Sequence, residues 1–327
     1  YKLYKYYIIN FLFFMFFTNI LLFSTNYDII FLNSIMSINY KKGNQMNYLL
    51  FNPLSKNGTG RKIKDEAKLK LNKQFPQLEE INVIDLKIEN FIKNLHDEDI
   101  LILVGGDGTL NHFANFVYEY KIKNKSYLYK AGTGNDFIRD IKLNDNDTLF
   151  YLNPYLEKLP TVTVNGMKRK FINGIGYGID GMVCETAEEL KLKNKKKINY
   201  TGLSIKLLLT KYATPEATVI VDGMKKNYNR VWLSSSMNGR YYGGGMKVAP
   251  TQNRLDNNLT LVVMHGSGKL KTLMVFPKIF RGEHLKYNKM CEAITGKKIE
   301  VHFSKPMALQ IDGEVIKNVT SYIAEIE

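Results

Sequence analysis

Strand-like and helix-like patterns of apolar residues alternate through the first half of the chain, beginning at Met46. The strand-like runs are 47–51, 81–86 and 100–104, and the segments with helical spacing between them are 63–75 and about 91–95. The run 100–104 is uniformly apolar, which is typical of a strand that is covered on both faces. Strands that alternate with helices predict a parallel sheet with crossover helices.

After about Pro160 the pattern changes to short β-rich runs separated by turn glycines. Helical spacing interrupts these runs at about 181–212 and again at about 270–280. We therefore expect an α/β domain over residues 46–158 and a mainly antiparallel β domain over residues 159–315. The length of 327 residues is also typical of about two domains.

Residues 1–45 form a distinct apolar segment ahead of these domains. Tyr6–Phe23 carries no charge and would span ~27 Å as a helix, close to the ~30 Å thickness of a bilayer core. Three interpretations follow: a membrane anchor, a signal sequence without an evident cleavage site, or translated upstream sequence. The narrow composition of the segment and a plausible start at Met46 favour the third by a small margin over an anchor.

The composition describes a basic globular protein. Lys and Arg number 46 against 31 Asp and Glu, a formal net charge of +15, and 45% of the residues are hydrophobic. These values exclude a wholly disordered chain. The two cysteines, Cys184 and Cys291, exclude a disulfide scaffold and favour a reducing compartment. Part of the basic excess reflects residues with A- and T-rich codons, but a basic surface still favours phosphate-bearing substrates, acidic lipid headgroups or nucleic acid as partners.

The strongest sequence signal is a glycine-rich turn that joins the apolar run 100–104 to a helical segment. Its residues are Gly105, Gly106, Asp107, Gly108, Thr109 and Leu110. The glycines permit close approach of the backbone, and the free N–H groups of the helix start favour a phosphate. In a nucleotide site Asp107 would act through Mg²⁺ or ordered water. A tight turn in which Asp107 or Thr109 caps the helix is the structural alternative.

Two further loops connect strands to helices in the same half of the chain. Residues 52–60 offer Ser55, Lys56 and Thr59 for contacts with phosphate, and residues 131–140 offer Thr133, Asn135 and Asp136. Because the carboxyl ends of parallel strands share one edge of a sheet, all three loops can converge on one crevice. Such convergence favours a nucleotide site over three unrelated turns.

Five motifs together resemble one known family. They are NPLS at 52–55, GGDGT at 105–109, GTGNDF at 132–137, YYGGGMKVAPTQNRLDNNL at 241–259 and IDGE at 311–314. In this order they resemble the diacylglycerol kinase catalytic-domain family, especially soluble bacterial lipid kinases, with sphingosine and ceramide kinases as relatives. GGDGT alone is also found in NAD kinases, but the combination is much more specific. The match extends from Met46 to the C-terminus.

The resemblance implies an α/β fold class with two domains. An N-terminal nucleotide-binding domain with a parallel sheet, similar to NAD kinase and phosphofructokinase, would be followed by a C-terminal β-sandwich domain for the lipid. Residues 316–327 would return to the first domain, and the active site would lie between the domains. The family pattern implies ATP and Mg²⁺ as cofactors and assigns ATP binding to Asn52, Pro53, Ser55, Lys56, Gly105, Gly106, Asp107, Gly108, Thr109, Leu110, Asn111 and Thr133.

The resemblance also implies two catalytic carboxylates. The family's proton acceptor corresponds to Glu314, which would take the proton from a lipid hydroxyl, and Asp312 is its nearest competitor. Asp107 would lie near the Mg²⁺ ion of the nucleotide. Without the other motifs, the Asp-Gly pair of IDGE predicts only a hairpin turn.

A second, structural Mg²⁺ site is implied on the loop 253–258. Asp256 would be its carboxylate ligand, and backbone oxygens of Asn253 and Asn258 would complete part of the shell. The family's glycine in this loop is Asn257 here, which tolerates left-handed geometry less well than glycine. A plain turn therefore remains the alternative.

Three other features favour a structural interpretation over a functional one. His112 stands where the family often has an acidic or amide residue, and we expect it on a helix surface. The basic run 191–197 could rest on anionic headgroups, but a solvated loop is the commoner explanation. The run 241–245 could border a lipid entry groove, although an ordinary sheet edge is favoured.

The leading hypothesis is an ATP-dependent lipid kinase that phosphorylates a hydroxyl of diacylglycerol or a related lipid. The expected partners are ATP, the lipid substrate at the membrane surface and anionic phospholipid headgroups, without nucleic acid, and a homodimer is left open. The expected location is cytoplasmic and peripheral at the inner membrane face, with an anchor if residues 1–45 are real. The alternatives are a kinase of a soluble acceptor, similar to NAD kinases, and a non-catalytic nucleotide- or membrane-binding module.

Overall fold

The computed structural model describes residues 45–131, 134–142, 144, 146–193 and 198–327, apart from the side chains at positions 56, 57 and 201. The predicted apolar segment 6–23 lies outside the described residues, as do Thr133 and residues 194–197 of the basic run. Within the described ranges, no helix is long and apolar enough to cross a membrane. Residues 46–327 form one compact unit.

The first domain is built on a sheet with the strand order β2-β1-β3-β4-β5. Its strands are β1 (Asn47–Phe51), β2 (Leu78–Asn82), β3 (Ile100–Gly105), β4 (Lys125–Lys130) and β5 (Leu149–Tyr151). The first four are parallel to their neighbours, and β5 is antiparallel to β4 at the edge. The predicted parallel sheet is therefore confirmed, with one antiparallel edge strand added.

Helices cover both faces of this sheet. They are α1 (Ser55–Gly58), α2 (Gly60–Leu71), α3 (Ile88–Asn94), α4 (Asp107–Glu119), α5 (Asp136–Ile141) and α6 (Asn153–Leu156). Successive residues of β3 enter different cores: Ile102 packs with Ala67 and Leu71 of α2, whereas Leu103 packs with α4. This two-sided burial explains why the strand is uniformly apolar.

Strand β2 ends at Asn82, earlier than the predicted run 81–86. The Asn82 side chain accepts a hydrogen bond from the backbone N–H of Ile84 at 3.1 Å and donates to the Asp85 carboxylate. An asparagine that hydrogen-bonds two residues ahead offers the backbone a turn in place of the ladder. The backbone N–H of Val83 still donates to Phe51 of β1, and the chain leaves the sheet after it.

The second domain is an antiparallel sheet in the order β15-β14-β11-β8-β16-β17-β6-β7, with β9 and β10 attached through β16, and a separate β12-β13 hairpin. The strands are β6 (Thr161–Val164), β7 (Met167–Lys170), β8 (Gly174–Gly178), β9 (Ala217–Val221), β10 (Met224–Tyr228), β11 (Leu233–Met237), β12 (Tyr241–Tyr242), β13 (Met246–Lys247), β14 (Leu259–Met264), β15 (Cys291–Gly296), β16 (Lys298–Ile311) and β17 (Glu314–Glu325). The helical insertions are α7 (Ile179–Leu192), α8 (Tyr200–Thr210), α9 (Lys269–Val275) and the 3-10 helices Phe276–Arg281 and His284–Lys286.

Strand β16 joins two parts of this sheet. Residues 299–303 pair with β9, whereas residues 309–311 pair with β8, and the register against β17 shifts between His302 and Leu309. Register shifts of this kind bend a strand and let it serve two layers. The antiparallel, sandwich-like second domain predicted from the sequence is confirmed.

The C-terminal residues do not return to the first domain as expected. Strand β17 pairs with β16 and with β6, and Val319, Tyr322 and Ile326 are buried in the core of the second domain. Strand β17 pairs with β16 between Glu314 and Glu325 and with β6 at residues 323–325, and the backbone N–H of Ile326 donates to the backbone oxygen of Lys297, so these residues lie in the larger sheet. The expected crossing of residues 316–327 is corrected accordingly.

Candidate active site

Three strand-to-helix loops line one cavity of about 400 Å³, which we call the loop cavity. The first loop contributes Asn52, Leu54 and Ser55, the second contributes residues 105–109, and the third contributes Ala131 and Gly134. All three loops leave the carboxyl ends of the parallel strands β1, β3 and β4. The structure therefore brings together the loops that the sequence analysis singled out.

The loop cavity lies at the start of helix α4. Gly106 is the residue before the helix, and the helix runs for 13 residues, so its first N–H groups and its positive end belong to this cavity. A side chain at Gly105 would clash, because an added Cβ would lie 2.5 Å from the Cβ of Thr109. The backbone at Gly105 therefore lies closer to Thr109 than any residue with a Cβ would permit.

Asp107 connects the second loop with the third. Its carboxylate accepts hydrogen bonds from the backbone N–H groups of Asp136 and Phe137, at 3.0 and 2.9 Å, at the start of helix α5. The side-chain amide of Asn173, from the second domain, donates to the same carboxylate at 3.3 Å. Asp107 thus orders the loops and also borders the cavity.

A second cavity of about 400 Å³ adjoins the first, and we call it the aspartate cavity. Four carboxylates line it: Asp107, Asp136, Asp180 and Asp312. Asp107 and Gly134 line both cavities, so the two spaces meet at this pair.

The far part of the aspartate cavity is apolar. Its wall is formed by Val183, Cys184, Met246, Phe276 and Phe280. Burial raises the pKa of the Cys184 thiol to about 12, so the thiol stays protonated and behaves as an apolar group. The cavity can therefore hold a molecule with one polar and one apolar end.

Residues 241–245 form part of this cavity, where the sequence favoured an ordinary sheet edge. Tyr242, Gly243 and Gly244 line it, and the backbone N–H of Gly244 donates to Asp136 at 2.7 Å. Burial, followed by the nearby charge of Asp107, raises the pKa of the Asp136 carboxyl to about 6. The glycine run thus approaches a carboxyl of the first domain across the cavity.

Asp312 holds the turn between β16 and β17. It adopts a left-handed conformation with φ 48°, and its carboxylate accepts the backbone N–H groups of residues 172, 173 and 174. The side-chain amide of Asn111 donates to the same carboxylate. Burial raises the pKa of the Asp312 carboxyl, and these hydrogen bonds oppose the shift. Both carboxylate oxygens of Asp312 therefore accept hydrogen bonds at the edge of the cavity.

Glu314 lies outside the lining of both cavities. Its side chain is 40% exposed and forms an ion pair with Arg169, while its other oxygen lies 3.1 Å from Nε2 of His112. His112 itself lines the loop cavity. The sequence placed His112 on a helix surface, and it is exposed, but its contact with Glu314 was not foreseen.

The remaining predicted nucleotide residues take different positions. Leu110 is buried in the core of the first domain, and Asn111 donates to Asp312 and accepts from Arg169. Pro53 is half-buried and is not among the residues that line the loop cavity. Thr133 and the side chain of Lys56 are outside the described part of the chain.

Two family models match the chain in succession. Residues 47–164 match the diacylglycerol kinase catalytic domain, and residues 173–325 match the YegS C-terminal NAD kinase beta sandwich-like domain. The chain belongs to the diacylglycerol kinase catalytic-domain family. The resemblance stated from the motifs is confirmed.

Individual relatives agree with this membership. The chain is 28% identical over 244 residues to a Staphylococcus epidermidis protein named "Putative lipid kinase", an alignment that covers 70% of this chain and 74% of that protein. A solved Bacillus anthracis structure titled as that of "a putative diacylglycerol kinase" has a TM-score of 0.64 at 20% identity. The match covers 86% of this chain and 92% of that one, and it supports the two-domain fold.

The loop 253–258 does not fit the structural metal site that the diacylglycerol kinase family implies. The side-chain amide of Gln252 donates to the backbone oxygens of Asn253 and Asn258, at 3.3 and 3.0 Å. Asp256 is exposed and accepts from the Asn253 side chain at 2.8 Å. The oxygens expected to bind a cation thus already bind an amide donor. Among the described residues, no group of three or more His, Cys, Asp or Glu could hold a metal.

Asp107 and Asp136 fit a cation that this family of kinases would bind together with its nucleotide. Asp107 lines both cavities and Asp136 lines the aspartate cavity, and the charge of Asp107 contributes to the raised pKa of Asp136. A cation that keeps waters and binds phosphates needs only one or two protein carboxylates. The donor set therefore fits Mg²⁺ bound jointly with a polyphosphate.

A buried ion cluster in this diacylglycerol kinase-family chain was not predicted from the sequence. Asp140 of α5 forms ion pairs with Arg240 and with Arg254, the latter at 2.7 Å. Arg254 also donates to the backbone oxygen of Ile172 and to the side chain of Asn173. Arg254 stands within the supposed metal loop, so that loop is held by a guanidinium. A lone arginine in a turn carries no sequence signal for such a partner.

Proposed function

We propose that the protein is an ATP-dependent lipid kinase that transfers the γ-phosphate of ATP to a hydroxyl of diacylglycerol or a related lipid. Membership of a kinase family supports phosphoryl transfer, and the names of its relatives support a lipid acceptor. The observation that carries the proposal is the junction of two different cavities at Asp107 and Gly134. One suits phosphate, and the other suits an amphipathic acceptor.

In this proposal the loop cavity holds the phosphates of ATP. Backbone N–H groups at the start of α4 and the hydroxyl of Ser55 are available to anionic oxygens there. Mg²⁺, which Asp107 and Asp136 would hold, supplies positive charge to the phosphates. Phosphoryl transfer depends mainly on positioning and electrostatic stabilisation, which such a site can provide.

The aspartate cavity would hold the acceptor with its hydroxyl towards Asp107 and its chain along the apolar wall. Val183, Phe276 and Phe280 would exclude water from that part of the cavity. The acceptor oxygen forms a bond to the γ-phosphorus while the bond from that phosphorus to the bridging oxygen of ADP breaks. The acceptor's proton passes to Glu314, and ADP leaves.

Glu314 remains our choice of base over Asp312. Asp312 already accepts three backbone N–H groups and an amide, so its lone pairs are engaged. Glu314 is more accessible, follows Gly313 of the cavity lining, and contacts His112 of the loop cavity. A base must reach the proton that it removes, and hydrogen bonds of this kind often tighten only when the substrate is bound.

Transfer from labelled ATP to a total lipid extract, with NAD as the soluble alternative acceptor, tests the proposal. Labelled lipid is expected. Labelled NAD without labelled lipid would contradict it, and so would ATP binding without transfer to any lipid.

The role of Glu314 is tested with Glu314→Gln, which should lower the turnover number at least ~100-fold while ATP binding is retained. Glu300→Gln is a matched control, because Glu300 lies 3.1 Å from Lys298 on β16 and lines neither cavity. If Glu314→Gln keeps the full turnover number and a stably folded Asp312→Asn loses turnover, the base is Asp312 and not Glu314.

A further inference from the structure

Two buried polar atoms of the aspartate cavity have no hydrogen-bond partner in the described structure. They are Oδ2 of Asp180 and Nε2 of Gln310. Both side chains line the cavity, and the residues are only 6% and 2% exposed. Buried polar groups are rarely left without a partner, so this pair calls for a ligand or a water.

The two atoms face the same small space, above Gly176 of β8. A Cβ added at Gly176 would lie 2.6 Å from Nε2 of Gln310 and 2.8 Å from Oδ2 of Asp180. Glycine at this position therefore keeps a side chain out of the space between the amide and the carboxyl. Gln310 is paired directly with Gly176 across the sheet, which fixes this arrangement.

Neighbouring contacts determine which atom each side chain presents. Oε1 of Gln310 accepts the backbone N–H of Gly313 at 2.7 Å, so Nε2 is the atom that faces the space. Burial raises the pKa of the Asp180 carboxyl to about 7, and the nearby hydroxyl of Ser235 opposes this shift. The space is thus bordered by one donor, from Gln310, and one acceptor, from Asp180.

A hydroxyl is the group that satisfies both atoms at once, because it donates and accepts. An ester or ether oxygen could accept from Gln310 but would leave Asp180 unpartnered. The pair also lies beside the catalytic turn: Gly174, two residues before Gly176 on β8, donates to Asp312 at 3.0 Å. Since two residues of a strand span ~6.6 Å, Gly176 lies about that far along β8 from Gly174.

We propose that Asp180 and Gln310 bind a second hydroxyl of the acceptor, next to the one that is phosphorylated. The acceptor is then a lipid with two neighbouring free hydroxyls, such as a monoacylglycerol, rather than diacylglycerol, whose neighbouring oxygen is esterified. This inference rests on the proposed lipid kinase function and narrows its substrate class.

The test compares 1-monoacylglycerol with its 2-O-methyl ether, which keeps the acceptor oxygen and carries a methyl group in place of the donated hydrogen. Both are presented in the same detergent micelles, and kcat/KM for phosphorylation by ATP is measured. The wild-type protein should prefer the diol by about 100-fold, since sites that hydrogen-bond a substrate hydroxyl reject analogues without it. Diacylglycerol should be as poor an acceptor as the ether.

Two single variants and their combination test the pair itself. In Asp180→Asn an N–H₂ group takes the place of Oδ2, so two donors face the space and the preference for the diol should fall at least tenfold. Gln310→Glu keeps the acceptor for Gly313 but leaves two acceptors above Gly176, with the same expected loss. The double variant again has one donor and one acceptor, and the preference should return.

The outcomes separate this inference from the function on which it rests. Phosphorylation of no lipid would contradict the lipid kinase function. Equal use of the diol and its ether by the wild type would overturn the inference and leave the kinase function standing. A purely structural role would change the unfolding temperature of Asp180→Asn without changing its diol preference, and that result would also overturn the inference.

Discussion

Replacing Asp136 by asparagine is expected to stabilise the protein at neutral pH, although the residue lies at the candidate active site. Asp136 is 4% exposed, and its nearest basic group is Arg139 at 3.3 Å, on the solvent side. Burial and the neighbouring Asp107 raise the pKa of its carboxyl to about 6 from an ordinary 3.8. An ionised Asp136 is therefore a cost to the folded state.

The size of this cost follows from the linkage between proton binding and folding. Between pH 3.8 and about 6 the folded protein holds a proton on Asp136 that the unfolded chain has lost, so stability falls as the pH rises through this interval. About one pH unit above 6 the loss is complete. At 1.36 kcal/mol for each pKa unit, it amounts to about 3 kcal/mol. Asparagine carries no proton and can still accept the N–H of Gly244, so the variant avoids the loss.

Urea unfolding at pH 4, 5, 6 and 7.5 in the presence of EDTA measures the effect. Asp136→Asn should be more stable than the wild type by up to about 3 kcal/mol at pH 7.5 and nearly equal to it at pH 4. Asp140→Asn is the matched control one turn along the same helix. It should destabilise the protein by about 3–5 kcal/mol, because it leaves Arg240 and Arg254 beside a neutral group. An Asp136→Asn variant less stable than the wild type at pH 7.5 would refute the reasoning.

Two further predictions concern the glycine turn and the supposed metal loop. Gly105→Ala should destabilise the free protein by at least ~2 kcal/mol, because its Cβ meets Thr109. Gly108→Ala should leave urea unfolding unchanged, because its Cβ meets only open space. It should weaken ATP binding, because that space belongs to the loop cavity. Equal unfolding midpoints for the two variants would contradict this. Asp256→Ala should leave the Mg²⁺ concentration for half-maximal kinase activity within about twofold of wild type, because Gln252 already donates to the backbone oxygens of Asn253 and Asn258. A large increase in that concentration would show that the loop binds a metal.

The phosphate side of the site could be predicted from the sequence because each of its parts is local. A uniformly apolar strand, a glycine turn and a helix start are adjacent in the chain, and parallel strands bring their carboxyl ends to one edge. The loops at Asn52, Gly105 and Ala131 therefore lie where the pattern indicated. What the pattern could not show is the contacts of each side chain: Asn111, which the family resemblance assigns to ATP, also donates to Asp312.

The acceptor side could not be predicted in the same way, because its residues come from distant segments that meet only in the folded second domain. Asp180 begins a helix, Gln310 ends a long strand, and Phe280 belongs to a 3-10 helix. None of them stands in a motif. Their common function depends on strand pairing and on the bend in β16, which apolar periodicity does not encode.

In the proposed mechanism, recognition of the acceptor and catalysis would share one pair of strands. β8 and β16 are in register with Ile311 opposite Ile175 and Gln310 opposite Gly176. The turn that carries Glu314 and the amide of Gln310 therefore keep a constant separation, since both are attached to the end of β16. A slip of one residue would reverse the faces of every side chain in the strand and remove Gln310 from the cavity. If the proposal holds, selection among acceptors could change through Asp180 and Gly176 without moving the turn that carries Glu314, whereas any change in the register of β16 would disturb both.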